Sequence, residues 1–224
     1  MAPSDTGANL NGNEFNFRLM DMGQLLERKP VALFSDEEAV FYPDVARLLE
    51  ATHRRFEYVS KSSLMRGNLN NFSVLIIPGG YTLKLLENLN DRSIQSIHRF
   101  IENGGGYLGI CMGAYVASEI GLVRSSTIRV SGEYNVELSI VEPRHPVMKG
   151  YAGRVKMSYQ NGPEMIVAAE DTPLAVFLNG RAAIIAGSFR GGKVVLFSPH
   201  PERERSNWKM IENALDYLVM GRVT

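Results

Sequence analysis

The chain has 224 residues, of which 45% are hydrophobic, and Lys+Arg and Asp+Glu both total 24, so the formal net charge is zero. That length suits one large domain, and the balanced charge removes the electrostatic case for a nucleic-acid or anionic-membrane binder. A single cysteine, Cys111, excludes an internal disulfide framework and a cysteine-rich zinc site, and the four histidines have no metal-ligand spacing.

Residues 1–28 are polar and rich in Ser, Asn, Gly and Asp, which reads as a tail, with a short docking helix expected over 15–26. The first sixteen residues lack the apolar core of a signal peptide. No apolar run is long enough to span a bilayer, so a cytoplasmic location is expected by default. The rest of the chain, 29–224, reads as one domain.

From Val31 the pattern alternates as in parallel α/β proteins. Val31-Ala32-Leu33-Phe34 is a short apolar run suited to a strand buried on both faces. A helix is expected from Pro43, with Val45, Leu48 and Leu49 facing inward. Phe56-Glu57-Tyr58-Val59 and Val74-Leu75-Ile76-Ile77 read as the next strands, the latter running into the turn Pro78-Gly79-Gly80. Asp91 is placed as the N-cap of a helix carrying Ile94, Ile97 and Ile101, which Asn103-Gly104 stops. Tyr107-Leu108-Gly109-Ile110 follows as a strand.

The later chain is more β-rich. Strands are expected at Ile128-Arg129-Val130 and over 136–140. Ala183-Ile184-Ile185-Ala186 and Val194-Val195-Leu196-Phe197 flank Gly191-Gly192 as a hairpin. A final helix, capped near Ser206, is expected to bury Trp208, Ile211, Leu215 and Leu218. The expected fold is α/β: a mainly parallel sheet flanked by helices on both faces, flavodoxin-like, with additional antiparallel strands in the C-terminal half.

Gly109-Ile110-Cys111-Met112-Gly113 carries the chemistry. A buried strand delivers the chain to a tight turn and a helix leaves at once, as in a nucleophile elbow. Cys111 then projects at the carboxyl edge of the sheet, at a helix N-terminus whose dipole favours the thiolate. Downstream, Ser198-Pro199-His200-Pro201-Glu202 ends a strand. Its prolines predict an extended segment, in which residues two apart share a side and Glu202 can orient His200. For the oxyanion of an acyl transfer, Gly79-Gly80 and the backbone N–H of Met112 are the expected donors. The stretch from Gly104 to Gly109 fits G-x-G-x-x-G but closes a helix and enters a strand, so it is not a dinucleotide site.

Together these motifs resemble the class I glutamine amidotransferase superfamily, and within it the amidotransferase-like N-terminal domain of biotin-protein ligases and its stand-alone microbial relatives. The segments Gly106-Tyr107-Leu108-Gly109-Ile110-Cys111, Tyr159-Gln160-Asn161-Gly162-Pro163 and Leu196-Phe197-Ser198-Pro199-His200-Pro201-Glu202 carry the likeness. The resemblance implies a catalytic Cys111, His200 and Glu202, with an oxyanion hole at Gly80 and Met112. It implies a thioester route on a small-molecule amide with no metal or organic cofactor, and a separate synthase chain as the taker of ammonia. Gly79, Tyr81 and Tyr115 are the expected substrate contacts; Tyr115 stands where typical glutaminases carry Gln. The alternatives are a non-catalytic regulatory or binding module, and a relative of the peptidase and chaperone branch with Glu37 or Glu38 as its acid.

Overall fold

The computed structural model describes residues 29–220; the tail and docking helix expected over 1–28 lie outside the described residues. The elements that position the site are β1 (Val31–Phe34), α1 (Tyr42–Ala51), β2 (Phe56–Val59), α2 (Lys61–Arg66), β3 (Val74–Ile77), α3 (Thr82–Asn88), α4 (Asp91–Glu102), β4 (Gly106–Ile110) and α5 (Met112–Glu119). After them come β5 (Ser126–Ile128), β6 (Glu133–Ile140), β7 (Arg154–Gln160), β8 (Glu164–Ile166), β9 (Thr172–Val176), β10 (Ala182–Phe189), β11 (Gly192–Phe197) and α6 (Trp208–Val219).

The described strands form one mixed sheet in the order β2-β1-β3-β4-β11-β10-β9-β6-β7, with β5 and β8 paired off its side. Pairings from β2 through to β11 are parallel, and those from β11 through β10, β9 and β6 to β7 are antiparallel. This is the expected α/β architecture with a β-rich second half.

Strands β1, β3 and β4 are buried at every position because each feeds two cores. Side chains alternate across a strand, and here the alternation sorts cleanly. Val31, Leu33, Val74 and Ile76 pack with Val45, Leu48 and Leu49 of α1 and with Met210, Ile211 and Leu215 of α6. Ala32, Phe34, Leu75 and Ile77 face the other way, against Leu64, Leu85, Ile97, Phe100 and the apolar side of α5. Continuous apolar runs are therefore required, and a half-exposed alternation would fail here.

Several boundaries differ from the sequence reading for local physical reasons. The α4 N-cap is Asn90, whose side chain accepts the Ser93 N–H, and Asp91 is the first helical residue. Helix α6 begins at Trp208 after a 3₁₀ turn, Arg205–Asn207, so Ser206 is not its cap, and Trp208 is half-buried. The expected hairpin is present: β10 and β11 are joined through Arg190 (φ 47°) and Gly191 (φ 100°). Two positive φ values at the central pair match the twist that a two-residue hairpin loop requires. Gly104 to Gly109 leads from α4 into β4, which bears out the rejection of a dinucleotide site. No helix among the described residues is long and apolar enough to cross a membrane.

Candidate active site

Strands β4 and β11 are adjacent and parallel, with Ile110 opposite Phe197 at their carboxyl ends. The chain leaving β4 and the chain leaving β11 therefore emerge side by side, and they carry Cys111 and His200. Cys111 sits between β4 and α5 with φ 50° and ψ −99°, a backbone conformation that costs a non-glycine residue roughly 1–3 kcal/mol. Its N–H donates to the Phe197 carbonyl at 2.8 Å, which ties the two strand ends together. The turn is this tight because its flanks lack side chains. A Cβ on Gly113 would fall 2.0 Å from the Ile77 carbonyl oxygen, and one on Gly109 would fall 2.5 Å from the Gly113 carbonyl oxygen.

The second component departs from the sequence expectation in shape while keeping its residues. His200 and Glu202 do meet: Nδ1 of His200 donates to Oε1 of Glu202 at 2.7 Å, with both side chains fully buried. The segment is not extended throughout, however, because Pro201–Arg203 forms a 3₁₀ turn. A proline at the first position of a turn is pre-set for helical φ, and this one folds Glu202 back onto the imidazole. The Trp208 indole N–H donates to the Glu202 carbonyl at 2.7 Å and fixes the turn, while the His200 N–H donates to the Ser158 carbonyl at 2.8 Å. Phe41 covers the His200 ring at 4.7 Å.

Nε2 of His200 is buried without a hydrogen-bond partner. Burial alone would lower the pKa of this imidazole. The Glu202 carboxylate and the nearby Cys111 sulfur outweigh it and push the value up to about 10. The Cys111 thiol instead donates to the Gln160 carbonyl at 3.3 Å. Sulfur and imidazole are thus neighbours whose mutual hydrogen bond is not formed in this conformation.

A cleft of about 640 Å³ opens above Cys111. Gly80, Tyr81 and Tyr115 line it with Cys111, while Gly79 lies behind, its carbonyl accepting the Phe41 N–H at 3.1 Å. Met112 is the first residue of α5, and its N–H has no intrahelical acceptor. The Tyr115 hydroxyl donates to the Asn161 carbonyl at 3.3 Å, so this side chain also holds the far wall of the cleft. Glu37 and Glu38 are engaged by lysines: Glu37 pairs with Lys84 at 3.0 Å, and Glu38 pairs with Lys61. His145 meets Tyr217 edge-on, with ring centroids 4.6 Å apart, and accepts the Val147 N–H, a structural role. The sequence reading gave no role to Phe41 or Arg129, and it quoted Gln160 and Asn161 only within a motif. Phe41, Arg129 and Asn161 reach the cleft from loops, where no periodicity marks them, and Gln160 from the last position of β7.

Residues 44–152 match the family model described as "Biotin-protein ligase, N terminal". Two curated relatives are phosphoribosylformylglycinamidine synthase subunits PurQ. That of Prochlorococcus marinus (strain NATL2A) is 26% identical, over 61% of this chain and 74% of its own length. That of Synechococcus sp. (strain CC9605) is 27% identical over the same shares. Among solved structures, PurLQS from Thermotoga maritima superposes with a TM-score of 0.69 at 18% identity, covering 85% of this chain and 99% of the other. A glutamine amidotransferase from Thermotoga maritima gives 0.64 at 14% identity, with 87% and 100% covered. At such identities the structural matches speak for the fold. Taken together, the family model over residues 44–152, the relatives and the fold make this chain similar to class I glutamine amidotransferase-like proteins.

Proposed function

We propose that this chain is an amidotransferase-type cysteine amidohydrolase acting on a small amide. The observation that carries this reading is the buried His200–Glu202 pair, bonded at 2.7 Å, with its unpartnered Nε2 beside a cysteine in a strained strand-to-helix turn. A buried imidazole nitrogen without a partner is costly, and a reacting thiol is a partner that offsets the cost during the reaction. A rotation of the Cys111 side chain away from the Gln160 carbonyl brings sulfur and Nε2 together, since hydrogen bonds of this kind are often loose before substrate binds.

With its pKa near 10, His200 already holds a proton at neutral pH, so the attacking form is the Cys111 thiolate beside the imidazolium, and the sulfur forms a bond to the amide carbonyl carbon. The carbonyl oxygen becomes an oxyanion, held by the N–H groups of Met112 and Gly80. The carbon–nitrogen bond breaks as the imidazolium returns its proton to the leaving nitrogen, releasing ammonia and leaving a thioester. Water, deprotonated by His200, hydrolyses the thioester to the carboxylate and restores the thiol. Glu202 holds the imidazole in place and stabilises its charged form. The PurQ relatives are named as synthase subunits, which supports delivery of the ammonia to a separate synthase chain.

The experiment is an ammonia-release screen over small amides with wild type and Cys111→Ala, with mass spectrometry for an acyl adduct on Cys111. Release that depends on Cys111 supports the reading, and release that survives Cys111→Ala overturns it. A second reading, a binding module that retains the pocket without turnover, is favoured by a thiol only 5% exposed and tied to Gln160. It predicts amide binding without ammonia or adduct.

A further inference from the structure

The loop between β1 and α1 grips the turn that carries Gly80 from two sides. The Phe41 N–H donates to the Gly79 carbonyl at 3.1 Å, and the Tyr81 N–H donates to the Glu38 carbonyl at 2.9 Å. One bond holds the peptide before Gly80 and the other holds the peptide after it. None of the described peptides is cis, and in a trans peptide the C=O and N–H point in opposite directions. The bond from Phe41 to Gly79 therefore turns the Gly80 N–H away from the loop. Contact is close as well: a Cβ on Gly80 would fall 1.8 Å from the Glu38 carbonyl oxygen. In packing this tight a displacement of Glu38 is passed directly to Gly80.

What fixes the loop is the Glu38 side chain, which is wholly buried. Its Oε1 accepts from Nζ of Lys61, the first residue of α2, and from the Asn88 side chain at 3.3 Å. Its Oε2 is buried without a hydrogen-bond partner, so the bond to Lys61 is the main offset to a costly burial. Lys61 is tied to the same loop a second time, because its backbone N–H donates to Oδ2 of Asp36 at 2.6 Å. The neighbouring pair Glu37–Lys84, 3.0 Å apart, is exposed and adds little. Neither Glu38 nor Lys61 lines the cleft.

We infer that the Glu38–Lys61 pair is a positioning device for Gly80, setting from outside the cleft the peptide whose N–H is the proposed oxyanion donor. The consequence for turnover rests on the amidohydrolase reading; the setting of the peptide does not. Such a device acts on the transition state more than on the bound amide, since the carbonyl oxygen becomes charged only there.

Two readouts on the full chain test this. The first is NMR of the ¹⁵N-labelled protein, which needs no turnover. In Lys61→Met the Gly80 amide resonance is expected to move and the Tyr81 amide to exchange with solvent about tenfold faster. The Gly180 resonance, from the turn between β9 and β10, is expected to stay in place. Lys61→Arg keeps the charge and is expected to retain the wild-type pattern. Lys61→Met strands a buried carboxylate, so where a melting scan finds it unfolded the double variant Glu38→Gln, Lys61→Met, which removes both charges, is read instead. An unmoved Gly80 resonance in the folded variant overturns the inference. The second readout is steady-state ammonia release from acetamide, benzamide, asparagine and glutamine. On whichever of these wild type turns over best, kcat is expected to fall about tenfold or more with KM within about twofold, a part of the loss that follows removal of an oxyanion donor. Lys61→Arg is expected to recover it. A Gly80 resonance that moves with kcat unchanged, or a loss confined to KM, also overturns the positioning role. If wild type releases ammonia from none of the four, the amidohydrolase reading fails, and the resonance and exchange data alone decide whether the pair sets this peptide.

Discussion

Gly79 and His200 are fitted to one another: a Cβ on Gly79 would lie 2.5 Å from Cε1 of the imidazole and 2.8 Å from Cδ2 of Phe41. The imidazole is therefore clamped between a bare backbone and an aromatic ring. Gly79 does not have a positive φ, so Gly79→Ala meets a steric obstacle without backbone strain. The variant is expected to fold with a loss of about 1–3 kcal/mol from overpacking, while turnover drops about 10²-fold because the base is displaced. Thermal unfolding and ammonia release on the best wild-type substrate measure the two effects separately.

Glu202→Gln keeps the shape of the turn and removes the charge beside the imidazole. Turnover is expected to fall on the order of 10²–10⁴-fold by analogy with triad aspartates. Steady-state kinetics check this, with circular dichroism confirming the fold.

The same pair makes a pH prediction. His200 is held at a pKa of about 10 in the folded chain, against roughly 6.5 when unfolded. Its contribution to stability is fully present below the unfolded value and is lost as pH rises through the folded one, because the folded state retains the proton in that window. Urea midpoints are expected to fall between pH 6.5 and 10, and the decline is expected to be shallower in Glu202→Gln. Parallel pH profiles for the two proteins would remove the assigned cause.

Cys111 is strained where it stands, at φ 50° and ψ −99°. Cys111→Gly is expected to be more stable than Cys111→Ala, by on the order of 1 kcal/mol, although both abolish turnover. In the intact protein, alkylation of Cys111 by iodoacetamide at pH 7 is expected to slow about tenfold or more when His200 becomes Ala.

Tyr115→Phe removes the hydroxyl that holds the Asn161 carbonyl at 3.3 Å and leaves the ring. One neutral hydrogen bond is worth about 1 kcal/mol, so KM is expected to rise roughly fivefold with kcat little changed. A change confined to kcat would point to a role nearer the reacting atoms.

The parallel half of the fold was legible because its strands are apolar runs between turn residues, and the elbow was legible because Gly109 and Gly113 flank the lone cysteine. The pairing of His200 with Glu202 was read correctly from the wrong geometry: Pro201 begins a 3₁₀ turn where an extended chain was expected. The short helices α2 and α3 and the strands β8 and β9 gave no usable period. β7, by contrast, alternates Arg154, Lys156, Ser158 and Gln160 with Val155, Met157 and Tyr159, a period-2 pattern of a half-exposed strand that the sequence reading passed over. Arg129 sits next to a three-residue strand, β5, whose partners in β8 lie 36 residues away at Ile128 and Glu164 and 40 away at Ser126 and Ile166, beyond what a local pattern can report.

The parallel β4 and β11 share one carboxyl edge, and the wall opposite them hangs from a different set of strands. Arg129 and Asn161 follow β5 and β7 and Gln160 ends β7, while Cys111 and His200 follow β4 and β11. On the proposed function, the reacting residues and the facing wall of the cleft thereby belong to separate stretches of chain. Exchanging the segment from 126 to 162 for another of like ends would present a new surface to the same sulfur, and the fold is in that sense a fixed tool with a replaceable jaw.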